Sequence, residues 1–356
     1  MGRKRLFDTI LSCGSLVLIS CAMRSTVSVQ VQKPAAVHLA GVQKVAVADL
    51  QGPDRSGSQI AATVQSMLLE TKYFDLLERE KLGQILDEQK LGMSGVVDDA
   101  TAVEVGKLLG VNAMVFGEVT VFRVEPDEFG SEKVERKVGT GKYEEVDEKN
   151  IFTGKTRKVK REIMRTVLVD QPYRIRRGTV SINFRVVDVQ TGRLLAVHSD
   201  SRSYNSGKVN EGGYRTLPPE GQILDDLSRT ICQKFVRTIA PYYSTERRPI
   251  ESGKGPIQVG KKYAEAGLWP EALDAWQKAV VELPKEPAAH YNLGLAHEIL
   301  GDLDKAEASF KTAVSISQKR LYMDAIQRIR QTRVENEKLR EQLFERQQSP
   351  PVPPGP

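Results

Sequence analysis

The chain has 356 residues, of which 40% are hydrophobic and 28% are charged, and its formal net charge is +6. This length predicts about two domains, and the hydrophobic fraction is large enough to build their cores. A charge of +6 over this length is too small to indicate a nucleic-acid partner, so no nucleic-acid partner is predicted.

Residues 1–20 have the composition of a secretory signal peptide of the lipoprotein type. A basic start at positions 3–5 is followed by an apolar run with small residues that ends at Ser20. The run is too short for a permanent membrane-spanning helix, which needs about 20 apolar residues. Leu18-Ile19-Ser20-Cys21 resembles a bacterial lipobox, whose cysteine becomes the lipidated first residue of the mature protein.

The lipobox resemblance implies a lipid anchor at Cys21, with a simple cleaved signal or an irregular N-terminal segment as the alternatives. Ala22 stands where an aspartate would favour the inner membrane, so the resemblance implies the periplasmic face of the outer membrane. If Cys21 carries lipid, Cys232 has no partner for an intrachain disulfide. The helical pattern around Cys232 predicts a buried residue, with a reactive thiol as the alternative.

An α/β domain is predicted over residues 41–245, after a tether over residues 21–40 that is rich in Ser, Val and Gln. Apolar periodicity assigns its first half in chain order. The predicted elements are a strand at 42–50, a helix at 58–71, a strand at 73–77, helices at 81–90 and 98–109, and a strand at 113–124.

Residues 125–177 are dense in Lys, Arg and Glu, and we expect a charged β-hairpin insertion there. A half-buried strand at 179–189 and a hairpin partner at 194–203 follow, because apolar residues alternate along the first of them. Two prolines then open a helix that extends to residue 239. Strands interleaved with helices predict the α/β class.

After a linker predicted at 246–256, residues 257–347 repeat themselves with a period of 34. The matched positions are Gly260 and Gly294, Tyr263 and His297, Gly267 and Gly301, Ala272 and Ala306, Trp276 and Phe310, and Ala279 and Ala313. The pattern resembles two tetratricopeptide repeats. A long charged helix at the end of this all-α domain would cover the repeats, and the Pro-rich tail at 348–356 is expected to be disordered.

The repeat resemblance also implies a concave face that binds a protein partner. In the repeat register this face would be lined by Lys261, Glu265, Tyr291, Leu295 and Glu298.

Four short segments of the first domain resemble the curli-secretion lipoprotein family, called CsgG-like. They are Phe74-Asp-Leu-Leu-Glu-Arg79, Val103-Glu-Val-Gly-Lys-Leu-Leu-Gly110, Ala113-Met-Val-Phe-Gly-Glu118 and Phe184-Arg-Val-Val-Asp-Val-Gln-Thr-Gly192. The resemblance implies a CsgG-like α/β core in the periplasm, a lipid attachment to the outer membrane and, for the members that form secretion channels, a ring of identical subunits.

Two features depart from the channel-forming members of that family. Their hairpins cross the membrane with strands that need about 9–11 residues and one continuous apolar face. Between Lys155 and Asp170, both alternating faces carry Arg or Lys, at roughly 2–4 kcal/mol each near the centre of a bilayer. The loop Gln51–Gly57 also lacks the aromatic residue that such members place at their constriction.

No catalytic residue, metal site or cofactor site is predicted. Gly139-Thr-Gly-Lys142 lacks the first glycine and the final Ser or Thr of a phosphate loop. His290 and His297 are seven residues apart, too far for the usual i, i+4 metal pair. We therefore expect a protein that is not an enzyme.

Three functions are consistent with these patterns. The first is an outer-membrane lipoprotein that assists envelope assembly or secretion, binds a protein partner through its repeats and associates with copies of itself. The second is a subunit of a curli-type secretion pore. The third is a lipoprotein activator of peptidoglycan synthesis.

Overall fold

The computed structural model describes residues 25–77, 109–149, 154–210 and 216–348. The predicted signal peptide, Cys21, the predicted helix at 81–90, nearly all of the one at 98–109, and residues 349–356 of the tail lie outside these ranges. The described chain forms two compact units. The α/β unit contains Gln32–Tyr242 and the chain from Glu337, and the helical unit contains Tyr243–Asn336 and the N-terminal residues to Val31.

Ten strands and seven longer helices are described. The strands are β1 (Thr26–Lys33), β2 (Lys44–Val47), β3 (Asp75–Leu76), β4 (Ala113–Val124), β5 (Glu128–Lys149), β6 (Thr156–Ile175), β7 (Arg177–Asp188), β8 (Leu194–Asn205), β9 (Val209–Asn210) and β10 (Tyr242–Pro249). The helices are α1 (Ser56–Thr71), α2 (Glu220–Ile239), α3 (Pro256–Glu265), α4 (Trp269–Glu282), α5 (Pro287–Ile299), α6 (Leu303–Ile316) and α7 (Arg320–Gln348).

A five-stranded sheet in the order β3-β2-β4-β7-β8 is the centre of the α/β unit. β2 pairs in parallel with β3 and β4, whereas β4, β7 and β8 pair antiparallel. The mixed α/β core predicted from periodicity is therefore confirmed, and β4 has the predicted bounds.

Helices α1 and α2 cover one face of this sheet. Alternate residues of β7 point into that core, and Phe184 stacks on Phe235 of α2 with ring centroids 4.2 Å apart. Cys232 lies in the same core, where burial raises the pKa of its thiol to about 12. A thiolate is therefore disfavoured at neutral pH, which supports the packing role predicted for this cysteine.

Two segments predicted to be a tether and a linker are strands. β1 lies within the predicted tether at 21–40, and β10 extends into the predicted linker at 246–256. They pair as a two-stranded sheet, and Val27 and Val29 enter the core of the helical unit. The prediction was wrong because it weighed composition, whereas the alternation Thr-Val-Ser-Val-Gln-Val is the period of a strand with one buried face.

The helical unit packs α3 to α6 through small residues set against large rings. A Cβ atom added at Gly260 would lie 2.4 Å from Nε1 of Trp276, and one at Gly294 would lie 2.7 Å from Cδ1 of Phe310. These are two of the pairs related by the 34-residue period. Only glycine allows the two helices to approach so closely at these positions.

Helix α7 ends at Gln348, but the last part of it packs in the α/β unit. The buried amide of Gln342 donates to the carbonyl of Ala35 and accepts from its N–H, and Tyr73 donates to the backbone carbonyl of Gln342. The predicted division at 41–245 and 257–347 therefore misses this segment. Within the described chain, no helix is both long and apolar enough to cross a membrane.

Candidate functional site

The charged insertion forms a long ribbon of two antiparallel strands, β5 and β6. Their pairing extends from Glu128 opposite Ile175 to Lys149 opposite Thr156, with one irregularity between Gly139 and Tyr143. Strands of 22 and 20 residues span roughly 65 Å at about 3.3 Å per residue. The short strand β9 pairs with β6 only at Tyr173 and Arg174, so both edges of the rest of the ribbon are open among the described residues.

The root of the ribbon is fixed by an ion pair. Arg176 donates from Nε and Nη2 to the two carboxylate oxygens of Asp127, both at 2.7 Å, and donates from Nη1 to the carbonyl of Pro218 at 2.8 Å. The Arg176 guanidinium lowers the pKa of Asp127, and Arg174 adds to this effect from 3.5 Å. This clamp holds the start of β5 against the end of β6.

One face of the ribbon combines branched apolar side chains with charged ones. Its branched apolar members are Val134, Val138, Val146, Val159, Ile163, Val167 and Val169, and its charged members include Arg136, Arg157, Arg161, Arg165, Glu132, Glu144 and Glu148. The other face carries Leu168 and Met164 among lysines and glutamates, and Leu168 is 67% exposed. Neither face is continuously apolar.

The far end of the ribbon separates its charges by strand. Acidic residues lie on β5 and basic residues on β6, in the cross-strand pairs Glu144 with Arg161, Glu145 with Lys160, Asp147 with Lys158 and Glu148 with Arg157. Opposite charges across a strand pair contribute roughly 0.2–1 kcal/mol each, so these pairs help to set the register. They also give the two open edges opposite electrostatic character.

The predicted concave face of the helical unit is not an open surface. Tyr291 and Leu295 are fully buried and Glu298 is 9% exposed, so these three predicted side chains are covered within the described chain. Lys261 lies 3.5 Å from Glu265, whose carboxylate accepts a hydrogen bond from Ser25. Only these last two of the five predicted side chains keep appreciable contact with solvent.

The chain itself covers this face. Tyr291 donates to the carbonyl of Pro249, the last residue of β10, and its ring lies 5.1 Å from that of Tyr322 on α7. Glu298 accepts hydrogen bonds from Arg248 at 2.9 Å and from Arg328 at 2.6 and 2.8 Å. Burial acts to lower the pKa of Arg328, but the bonds to Glu298 raise it above its usual value.

The residues that cover this face were not predicted, because they come from a segment assigned to a linker and from the terminal helix. The sequence contained one indication that this face is covered. Asn292 is a fully buried amide between apolar neighbours on α5, and a buried amide requires specific hydrogen-bond partners.

Comparison with protein families identifies the region that contains the sheet and the ribbon. A family model described as curli production assembly/transport component CsgG matches residues 45–237, more than half of the chain. The chain belongs to the CsgG family. A second model, for a domain of unknown function (DUF6340), matches residues 258–341, which include α3 to α6 and most of α7.

Solved structures with a similar fold are distant from this CsgG-family chain. A PelC dodecamer from Paraburkholderia phytofirmans is 12% identical with a TM-score of 0.28, covering 61% of this chain and 99% of the other. The lipoprotein GNA1162 from Neisseria meningitidis is 14% identical with a TM-score of 0.27, covering 54% and 99%. The LpoB C-terminal domain from Salmonella enterica is 10% identical with a TM-score of 0.25, covering 46% and 83%. Among curated proteins, none matches this sequence.

The clamp at the root of the CsgG-family ribbon predicts a specific acid sensitivity. Because the pKa of Asp127 is lower in the folded chain than in the unfolded one, its stabilising effect is complete above about pH 4 and is lost as the pH falls through the lowered value. Asp127→Asn should weaken the pH dependence of local stability. The measurement is the protection from hydrogen exchange of the Glu125 amide, which donates to the carbonyl of Arg177. Asp147→Asn, at the exposed far end, should leave it unchanged. An equal acid response in Asp127→Asn would contradict the role of the clamp.

The buried Glu298 predicts a large loss of stability on neutralisation. Glu298→Gln leaves Arg328 without this carboxylate and leaves Arg248 with Glu246 alone, and removing one member of a buried ion pair costs about 3–5 kcal/mol. The measurement is urea unfolding followed by tryptophan fluorescence, since Trp269 and Trp276 both lie in the helical unit. Glu282→Gln, at an exposed position of the same unit, should change stability by less than about 0.5 kcal/mol. Equal effects of the two substitutions would show that the buried pairs contribute little.

Proposed function

We propose that this protein is a non-enzymatic lipoprotein on the periplasmic face of the outer membrane, where it serves envelope assembly or secretion by associating with copies of itself. The observation that carries the proposal is the open-edged β5–β6 ribbon within a region of the CsgG family. A two-stranded ribbon is marginally stable alone in water, and its open edges are templates for further strands. A second copy supplies such strands.

Charge separation specifies how two copies would pair. The acidic far half of β5 in one copy matches the basic far half of β6 in the next, so neighbouring ribbons would join β5 to β6 in the same sense around the assembly. Contacts of this head-to-tail kind produce a ring when the rotation closes.

A secretion pore is the second candidate, and the length of the ribbon favours it. Both strands exceed the 9–11 residues that cross a bilayer. The arginines on the valine-rich face oppose insertion into lipid, which supports assembly of the ribbons in water.

A lipid at Cys21 would also restrict the helical unit. β1 begins at Thr26, and five residues span at most about 18 Å when fully extended. Since Val27 and Val29 pack in the core of the helical unit, that unit would stay close to the headgroups. We propose that its helix pairs are tetratricopeptide repeats, supported by the glycine and aromatic contacts at 34-residue spacing.

Charge reversal on one strand tests self-association. Lys158→Glu with Lys160→Glu should lower the assembled mass of detergent-extracted protein, measured by light scattering, because β6 would then repel the acidic edge of its neighbour. The matched control adds Glu145→Lys and Asp147→Lys to the same chain, which restores opposite charges both within and between ribbons. A protein that is monomeric before any substitution, or a mass unchanged by the double reversal, would contradict ribbon pairing.

Substitution of the proposed lipidation site tests the anchor. Cys21→Ser should move the protein from the membrane fraction to the soluble periplasmic fraction. Ile10-Leu11-Ser12-Cys13 also resembles a lipobox, but Asp8 interrupts the apolar run before it, so Cys13→Ser should leave the protein on the membrane. Retention of the Cys21→Ser protein on membranes would favour the pore, because an inserted ribbon would then hold it there.

A further inference from the structure

The four residues Arg248 to Glu251 lie across the helical unit, and every one of them has a specific contact. They meet a surface that we call the α5–α7 groove, formed by Tyr291, Asn292, Glu298, Lys319 and Tyr322. The groove is assembled from two helices, and the segment that occupies it belongs to neither.

The main chain of the occupant is recognised by side chains of α5. Asn292 accepts from the N–H of Glu251 at 3.0 Å and donates to its carbonyl at 2.8 Å, which satisfies both backbone groups of one residue. Tyr291 donates to the carbonyl of Pro249 at 2.9 Å. Bonds from side chains to successive backbone groups select an extended segment, because a helix would use those groups internally.

The side chains of the occupant are recognised at three positions. Arg248 is 5% exposed and donates to Glu298, and Ile250 is 3% exposed within the core that contains Trp276. Glu251 accepts from Lys319 at 2.7 Å and from Tyr322 at 3.3 Å. The groove therefore contacts a cation, a proline carbonyl, a branched apolar side chain and an anion, in that order along the segment.

We propose that the α5–α7 groove is a binding site for an extended protein segment of the form Arg-Pro-aliphatic-acidic, and that residues 248–251 are its resident ligand. A partner that carries such a segment binds when the resident segment is displaced. Charge complementarity defines this partner, since the groove presents Glu298 at one end and Lys319 at the other. The proposal does not depend on the lipid anchor or on the ribbon.

Because the resident segment occupies the groove, it should compete with any free peptide that binds there. A tethered ligand competes at an effective concentration of roughly millimolar, so it weakens the apparent binding of a free peptide many-fold. Removing the side chains that hold the resident segment should therefore raise the affinity for the same sequence supplied as a separate peptide.

The experiment uses the full chain and a fluorescent peptide of residues 246–253, with sequence ERRPIESG. The double variant Arg248→Ala with Ile250→Ala is called the opened variant. We expect it to bind this peptide at least tenfold more tightly than the unmodified chain does, measured by fluorescence anisotropy. A peptide of the same composition in scrambled order is the control. Adding Asn292→Ala to the opened variant should reduce binding at least tenfold, since the backbone contacts are then lost.

Two results would overturn the proposal. The first is an opened variant that is folded by circular dichroism and binds neither peptide, or both equally. If the opened variant does not fold, its thermal unfolding is followed with and without saturating ERRPIESG peptide. Restoration of the melting transition by this peptide alone supports the site, and no shift relative to the scrambled peptide refutes it.

Discussion

The antiparallel pairing of β4 with β7 is the constraint on which the α/β unit depends, because the same pairing continues into the ribbon. Inside the sheet its register is set by burial: Val180, Ile182, Phe184 and Val186 are all fully buried on one face. A slip of one residue would turn this whole set toward the opposite face. Val124 pairs with Gly178 at the end of this sheet, and Asp127 pairs with Arg176 a few residues further along the same two segments. The register of the ribbon is therefore continuous with the register that burial fixes in the sheet.

In the helical unit the corresponding constraint is a buried charge. Glu298 must meet both Arg248 and Arg328, and these arginines come from opposite ends of the unit in sequence. Dehydrating three charged groups is costly unless each is paired, so the end of β10 and the helix α7 have to be in place together. The filled groove and the capping helix therefore depend on each other, which a stack of helix pairs alone would not require.

Most of the sheet could be predicted from the sequence, because alternating burial leaves a period of two in β7 and a continuous apolar run at the start of β4. The glycine and aromatic positions of the helical unit were equally visible, since Gly294 and Phe310 repeat an earlier pair at a fixed distance. The groove was different. The repeat register assigned Tyr291 and Glu298 to one face, but the segment that covers them has the Pro and Arg content of a linker. Periodicity carries no information about contacts between distant segments.

The ribbon shows why local patterns do not determine function by themselves. Its length and pairing suit a membrane, and its branched side chains suit a sheet, yet four arginines are distributed along its more apolar face. An arginine costs roughly 2–4 kcal/mol at the bilayer centre and less toward the interfaces, so arginines spread along this face oppose insertion at several depths. In water the same arginines remain hydrated, and two of them, Arg157 and Arg161, lie opposite Glu148 and Glu144 on the adjacent strand. The physical balance therefore favours ribbons that complete their hydrogen bonding with one another outside the lipid.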